Sequence, residues 1–404
     1  MELNSRFGCL AITSVCFAIL SCFFSQLFDE NLVSILNRRL FSTPVHPFDK
    51  VSSIIFEDLT KENISMDSRI LSSMQEFGFF YVTNVPDYSP ERELELLKQF
   101  FNLPTSDKMS VAVQKHNSEN SNVYRGYGPL VETSGTQYKE MYNIGPHELP
   151  SSQIEQSELD SQLDKQSETR LDKQTDAQLD KLRVISRESN AWPKTHDAAF
   201  DEEFKRVFQR GLKTRLTIGR GIIRSIGRSL GYPKFEDRFT ESEFSTLGLR
   251  KYPLRKSVTA AMLSKYDAVP LTELEHEDST VTILTTFNYT GLQALYNGVY
   301  LDVPPSNDGF IVNIGTLIED IADKKMKAVR HRVKQVDFVR HSIPCFFNPS
   351  FDADIKTSIS GRVTAAGERY TIFGEWMRDY LPDVEPGLLK KGFTRDNPSE
   401  SSRA

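Results

Sequence analysis

Apolar residues recur along this chain with two different periods, and the change from one to the other divides it. Up to about residue 246 the pattern mixes helical and strand periods. Val51-Ser52-Ser53-Ile54-Ile55-Phe56 has strand character, residues 67–76 read as a helix, and Gly78-Phe79-Phe80-Tyr81-Val82 as a buried strand. Residues 90–101 predict a second helix with Leu94, Leu97 and Phe101 on one face. Residues 204–230 predict a long third one. Its stripe is Phe208, Leu212, Leu216, Ile223, Ile226 and Leu230, with a gap at Gly219 and Gly231 as the stop. From Leu247 onward the period shortens. Strands are expected at 281–284, 291–295, 300–303, 309–313 and 331–333, separated by turns such as Asn297-Gly298 and Pro304-Pro305. Many short strands at close spacing predict a sandwich or jelly roll, so the expected class is mainly β with flanking helices.

Two stretches depart from this pattern. Residues 7–28 are apolar and uncharged over 22 positions, a length that suits one membrane span. A cleaved signal is the rival reading, so membrane anchoring or entry to the secretory pathway is expected if either holds, and a cytoplasmic protein otherwise. Residues 151–190 are polar and carry an octad, with Leu163, Leu171 and Leu179 eight apart. A stripe at that spacing drifts around a helix and cannot form a steady seam, and so few apolar side chains cannot offset the entropy of ordering. The segment is expected to be an inserted, disordered or loosely helical loop. The expected organisation is a leader and linker at 1–44, a first region at 45–150, the insert at 151–190, a helical region at 191–246, a strand-rich core at 247–385 and a tail at 386–404.

Composition narrows the function. The formal net charge of −6 and the absence of a concentrated basic face argue against a nucleic-acid partner. The run Lys324-Lys325-Met326-Lys327 reads as a solvated turn. Of four cysteines, three lie in the N-terminal apolar segment, which leaves Cys345 alone in the body and excludes an internal disulfide framework. Cys345 is expected to be a buried, inert thiol.

The candidate chemistry lies in the strand-rich core. His276-Glu277-Asp278 places an imidazole and a carboxylate two residues apart, and on a strand two such residues share a face. His331 follows 55 residues later. Two imidazoles and one carboxylate on one side of an ion form the facial triad of oxygen-activating Fe(II) sites, which leaves three coordination positions open. Arg340-His341-Ser342 begins nine residues after His331 and projects a guanidinium and a hydroxyl together, a pair suited to holding a carboxylate. His341 should face the other way. Asn313 and Gly315 read as turn-formers.

In order, these motifs resemble the isopenicillin-N-synthase-like branch of the Fe(II)/2-oxoglutarate dioxygenases. The matching text runs through His276-Glu277-Asp278-Ser279-Thr280, Gly291-Leu292-Gln293, Val312-Asn313-Ile314-Gly315, His331-Arg332-Val333 and Arg340-His341-Ser342-Ile343-Pro344. Upstream, Phe77 to Val82, Tyr124-Arg125-Gly126-Tyr127, Lys139-Glu140 and Asn190-Ala191-Trp192-Pro193 fit the same family. The resemblance implies a double-stranded β-helix core with Fe(II) on His276, Asp278 and His331. It implies the 2-oxoglutarate carboxylate on Arg340 and Ser342, and Tyr252 beside that co-substrate. Arg250 stands where the family commonly has asparagine. The implied reaction is oxidation of a small organic molecule by dioxygen, by hydroxylation in the default case, with ascorbate as an accessory reductant. The alternatives are an iron oxidase of the same fold that consumes no 2-oxoglutarate, and a jelly roll that binds without catalysis.

Overall fold

The computed structural model describes residues 46–61, 63–130, 138–147, 170–264 and 269–384. By contacts the chain divides into residues 1–50 and residues 51–404. Of the first unit only 46–50 are described, with a short turn of 3-10 helix at Pro47–Lys50. The apolar stretch 7–28 and the tail from 386 lie outside the described residues. Among those described, no helix is long and apolar enough to cross a membrane.

In the second unit, β1 (Ser53–Ile55), α1 (Phe56–Thr60), α2 (Ile64–Glu76) and β2 (Phe79–Thr83) come first. Asn63 caps α2 by accepting from the Ser65 and Met66 amides, which starts that helix three residues before the apolar pattern suggests. Next come α3 (Pro90–Asn102), α4 (Thr105–Ser110), β3 (Gly126–Gly128), β4 (Glu140–Ile144), α5 (Arg170–Ser186) and α6 (Ala198–Ser229). Then follow β5 (Thr246–Tyr252), α7 (Ala260–Leu263), β6 (Leu271–His276), β7 (Val281–Thr285), β8 (Leu292–Tyr296), β9 (Val299–Asp302), β10 (Phe310–Ile314), α8 (Thr316–Ile321), β11 (His331–Lys334), β12 (Arg340–Phe347) and α9 (Phe373–Val384).

The strands form two sheets. The larger has the order β1-β2-β10-β7-β12-β5-β4-β3, and the smaller β6-β11-β8-β9. Side chains from both line a common cavity, so the sheets face each other across it as the two layers of a jelly roll. Even-numbered residues of β12 (Arg340, Ser342, Pro344, Phe346) turn toward that cavity. Phe347 turns the other way, to the outer face of the larger sheet, where α6 lies across β12 and β7. Gly219, the gap in the α6 stripe, faces the Phe347 ring.

Two expectations change. The buried face of α3 is not centred on Leu94, which is only partly covered, but runs through Glu93, Leu96, Leu97, Phe100 and Phe101. A buried carboxylate belongs to it because Arg215 of α6 meets Glu93 in a two-pronged ion pair at 2.7 and 2.9 Å. In the polar insert, residues from 170 on form helix α5, with Leu182 and Ile185 buried. It packs against α9, Arg183 pairs with Asp352 at 2.6 and 2.7 Å, and the same guanidinium covers the Phe351 ring. Octad residues 170–181 lie within α5, and the buried apolar residues that hold it, Leu182 and Ile185, lie just after them.

Candidate metal and co-substrate site

The bottom of the cavity is built where the two sheets approach each other. His276 ends β6 and His331 begins β11, directly opposite in register, with ring centroids 4.4 Å apart. Asp278 lies in the link that carries the chain from β6 to β7. The pair His276 and Asp278 is therefore not an alternation within one strand, as the spacing suggests. It spans a crossing from the smaller sheet to the larger. Nε2 of each histidine is 3.8 Å from an Asp278 carboxylate oxygen, and one donor atom from each of the three residues lies within 4.8 Å of the others.

Both imidazoles are held in a fixed sense. Nδ1 of His276 is 2.7 Å from the Leu274 carbonyl, and Nδ1 of His331 is 3.0 Å from the Val329 carbonyl. A carbonyl can only accept, so Nδ1 carries the proton and each Nε2 lone pair is left for an ion. Asp278 is buried. Burial alone would raise its carboxyl pKa, but His331, His276 and the hydrogen bonds from Thr282 (2.6 Å) and Asn313 (2.7 Å) outweigh it and hold the group below its usual range. The backbone here is also fixed. The amides of Thr316 and Leu317 donate to the Asp278 and Ser279 carbonyls, and a Cβ at Gly315 would stand 2.1 Å from the Asp278 carbonyl oxygen. Only glycine permits that approach. Asn313 and Gly315 thus do more than shape a turn.

Higher in the cavity, Arg340 and Ser342 line the same wall, paired in register with Tyr252 and Arg250. The Arg340 guanidinium lies 5.0 Å from the Tyr252 ring centroid, and its Nε donates to the Thr290 carbonyl at 3.0 Å. Its Nη1 is buried and has no hydrogen-bond partner among the described residues. A buried, unpartnered guanidinium nitrogen is costly unless an anion completes it. The donor set, two imidazoles and a carboxylate beside a cation with a vacant donor, fits Fe(II) together with a dicarboxylate.

Comparison with known proteins agrees. The sequence model for the non-haem dioxygenase in morphine synthesis N-terminal region matches residues 52–166, and that for the 2OG-Fe(II) oxygenase superfamily matches residues 256–349. Isopenicillin N synthase of Penicillium rubens is 24% identical over 324 residues, covering 78% of this chain and 88% of that one. The 1-aminocyclopropane-1-carboxylate oxidase of Persea americana is 31% identical over 172 residues, 41% of this chain and 50% of that one. The chain belongs to the isopenicillin-N-synthase-like family of Fe(II)/2-oxoglutarate dioxygenases. In fold it is similar to a full-length Neurospora crassa protein whose crystal structure is in complex with alpha-KG and 5-formyluracil. The TM-score is 0.60 and the identity 21%, over 82% of this chain and 96% of that one. The cofactors of the present chain are Fe(II) and 2-oxoglutarate, and it is an oxidoreductase.

Within this family frame, the sequence motifs assign no role to several cavity residues. Lys139, just before β4, pairs with Glu273 of β6 at 2.5 Å, and Glu273 also accepts from the Tyr252 hydroxyl at 3.2 Å. Burial opposes ionisation of Glu273, but Lys139, His276 and Arg250 hold its pKa well down. The period of two would put Glu273 and His276 on opposite faces. A β-bulge in β6, seen as a register shift against β11, brings both to the cavity. A second chamber of about 430 Å³ opens beyond His276 and Asp278. Its walls include Met141, Asn143 and Arg250, and on the far side Met377, Tyr380 and Leu381 of α9. His341 points away from the cavity, as expected, and is buried against Phe101 and Tyr289.

Proposed function

We propose that His276, Asp278 and His331 hold the iron, that Arg340, Ser342 and Tyr252 seat the 2-oxoglutarate, and that a small organic substrate enters through the chamber beside α9 and is hydroxylated. The observation that carries this reading is the convergence, in one cavity, of three donors with vacant lone pairs and one buried guanidinium nitrogen with no partner. Bound Fe(II) with 2-oxoglutarate supplies dioxygen activation, the co-substrate leaving as succinate and carbon dioxide while the substrate is oxidised.

The chain supplies the rest. Leu274 and Val329 carbonyls fix the imidazole tautomers. Thr282 and Asn313 keep Asp278 ionised and aimed. Arg340 presents its fork to the distal carboxylate of the co-substrate, with Ser342 beside it. Phe79, Leu284, Leu292, Ile311 and Val333 line the walls and keep water from the reacting centre.

The test is succinate formation by the purified chain with Fe(II), ascorbate and 2-oxoglutarate, compared with His276→Ala. Iron-dependent succinate in the wild type, reduced to the iron-free background in the variant, is expected. Iron-loaded protein that forms no succinate would instead favour an oxidase that consumes no 2-oxoglutarate.

A further inference from the structure

The charges facing the two chambers do not balance. Apart from Glu275 and Glu277, which also line the outer chamber, Lys139, Arg250 and Arg340 are the cationic wall residues and Glu273 and Asp278 the anionic ones, with the two histidines neutral as ligands. The excess is one positive charge. A divalent ion and a dianionic co-substrate cancel each other, so the excess persists in the loaded site. Glu275 and Glu277 lie on the outer rim and are engaged by Arg330 at 3.3 and 3.1 Å, where solvent screens them.

The excess resides on Arg250. Lys139 is matched by Glu273, and Arg340 faces the co-substrate seat. Arg250 is buried, yet among the described residues its guanidinium donates only to neutral acceptors, Oδ1 of Asn143 at 2.8 Å and the Leu249 carbonyl at 3.2 Å. Asn143 is itself oriented by donating its Nδ2 to the Tyr124 carbonyl at 3.4 Å. Two residues before Arg250 on the same strand face, Gly248 leaves the space the head group occupies. A Cβ there would stand 2.5 Å from Nη2 and 2.6 Å from Cζ. The chain thus positions a guanidinium in the wall shared by both chambers and, among the described residues, gives it no direct ion pair, the nearby Glu273 being engaged by Lys139. Opposite stands an apolar surface formed by Met377 and Leu381 of α9, with Met141 and Phe346 nearby.

Building on the iron and co-substrate assignment above, we propose that Arg250 anchors the carboxylate of a monoanionic, amphipathic substrate. The apolar body of that substrate lies against α9, and a C–H bond is presented toward the metal end. A charge-assisted, two-pronged contact of this kind in a desolvated wall discriminates by about ten- to a hundredfold between an acid and its neutral isostere.

The test is isothermal titration of the full chain, loaded with Fe(II) and 2-oxoglutarate under nitrogen, with phenylacetate and hexanoate against phenylacetamide and hexanamide. The acids are expected to bind at least about tenfold tighter than the amides. Arg250→Gln should bring the ratio to about one, and Arg250→Lys, which keeps the charge, should retain part of it. Equal affinity for acid and amide in the wild type, or no binding by either acid, overturns the proposal. So does an Arg250→Gln variant that keeps the preference but loses affinity for 2-oxoglutarate, because Arg250 would then belong to the co-substrate seat. A separate titration of the wild type with 2-oxoglutarate, before any acid is added, reads the underlying assignment, so its failure is seen independently.

Discussion

Burial of His341 gives this fold a pH dependence that no exposed histidine would. Its ring lies between Phe101 and Tyr289, and burial, with Lys98, Lys251 and Arg340 nearby, lowers its pKa to about 4. Between that value and the ordinary value of about 6.5 the unfolded chain takes up a proton that the folded chain refuses. Stability therefore rises with pH across this window and is lost as pH falls through it, by an amount on the order of 3 kcal/mol at most. Urea unfolding of the wild type and of His341→Phe from pH 7 down to pH 4 checks this. The variant should lack the wild type's extra loss. Cys345 is another buried titratable group on β12. Burial pushes its thiol up to about 12, which keeps it protonated and inert, as its apolar neighbours in the sequence suggest. The three proposed iron donors and the proposed Arg340–Ser342 seat stand out in the sequence because each is a reactive type at a spacing that chance rarely repeats in order. Asn313 could not, since its role is to hold Asp278 and nothing in its own neighbourhood shows that.

At the scale of elements, the helix that contains the last two octad repeats changes how the insert is understood. Helix α5 buries Leu182 and Ile185, pairs Arg183 with Asp352 and packs on α9, the helix that lines the outer chamber. The insert's C-terminal part therefore braces a wall of the site. Most of its hold is apolar, because an exposed ion pair such as Arg183–Asp352 contributes less than about 1 kcal/mol. Leu182→Ala should cost about 2–4 kcal/mol in denaturant unfolding, and Asp352→Ala far less. A similar cost for both would mean that α5 is held by its charges. The strands at 281–284, 309–313 and 331–333 were legible because alternation and flanking turns bound them. Strands β3, β4 and β6 were not, being short or, in β6, rich in charged residues.

At the scale of the whole molecule, a buried polar junction ties α3 and α6 to the larger sheet. Arg215 of α6 meets Glu93 of α3 and also donates to the Thr285 hydroxyl of β7 at 2.6 Å. Both charged groups are buried, so the pair adds little net stability over an apolar equivalent, but removing one partner strands the other. Glu93→Ala should therefore destabilise the fold by about 3–5 kcal/mol. Replacing both residues by apolar ones of similar volume should recover much of that loss. A thermal melt of the two variants side by side distinguishes a specifying junction from a merely present one.

The sequence by itself determined the class of fold and the family, and it singled out the residues proposed above as metal donors and co-substrate pair, because those depend on local period and on reactive types in a fixed order. What only the tertiary structure decided is how these residues meet. The bulge in β6 turns Glu273 inward, the crossing between the sheets carries Asp278 to its partners, and register across β4, β5 and β12 sets Arg250 in a wall where its direct acceptors are neutral. None of these follows from a period of two, since each is fixed by pairing with strands distant in the chain.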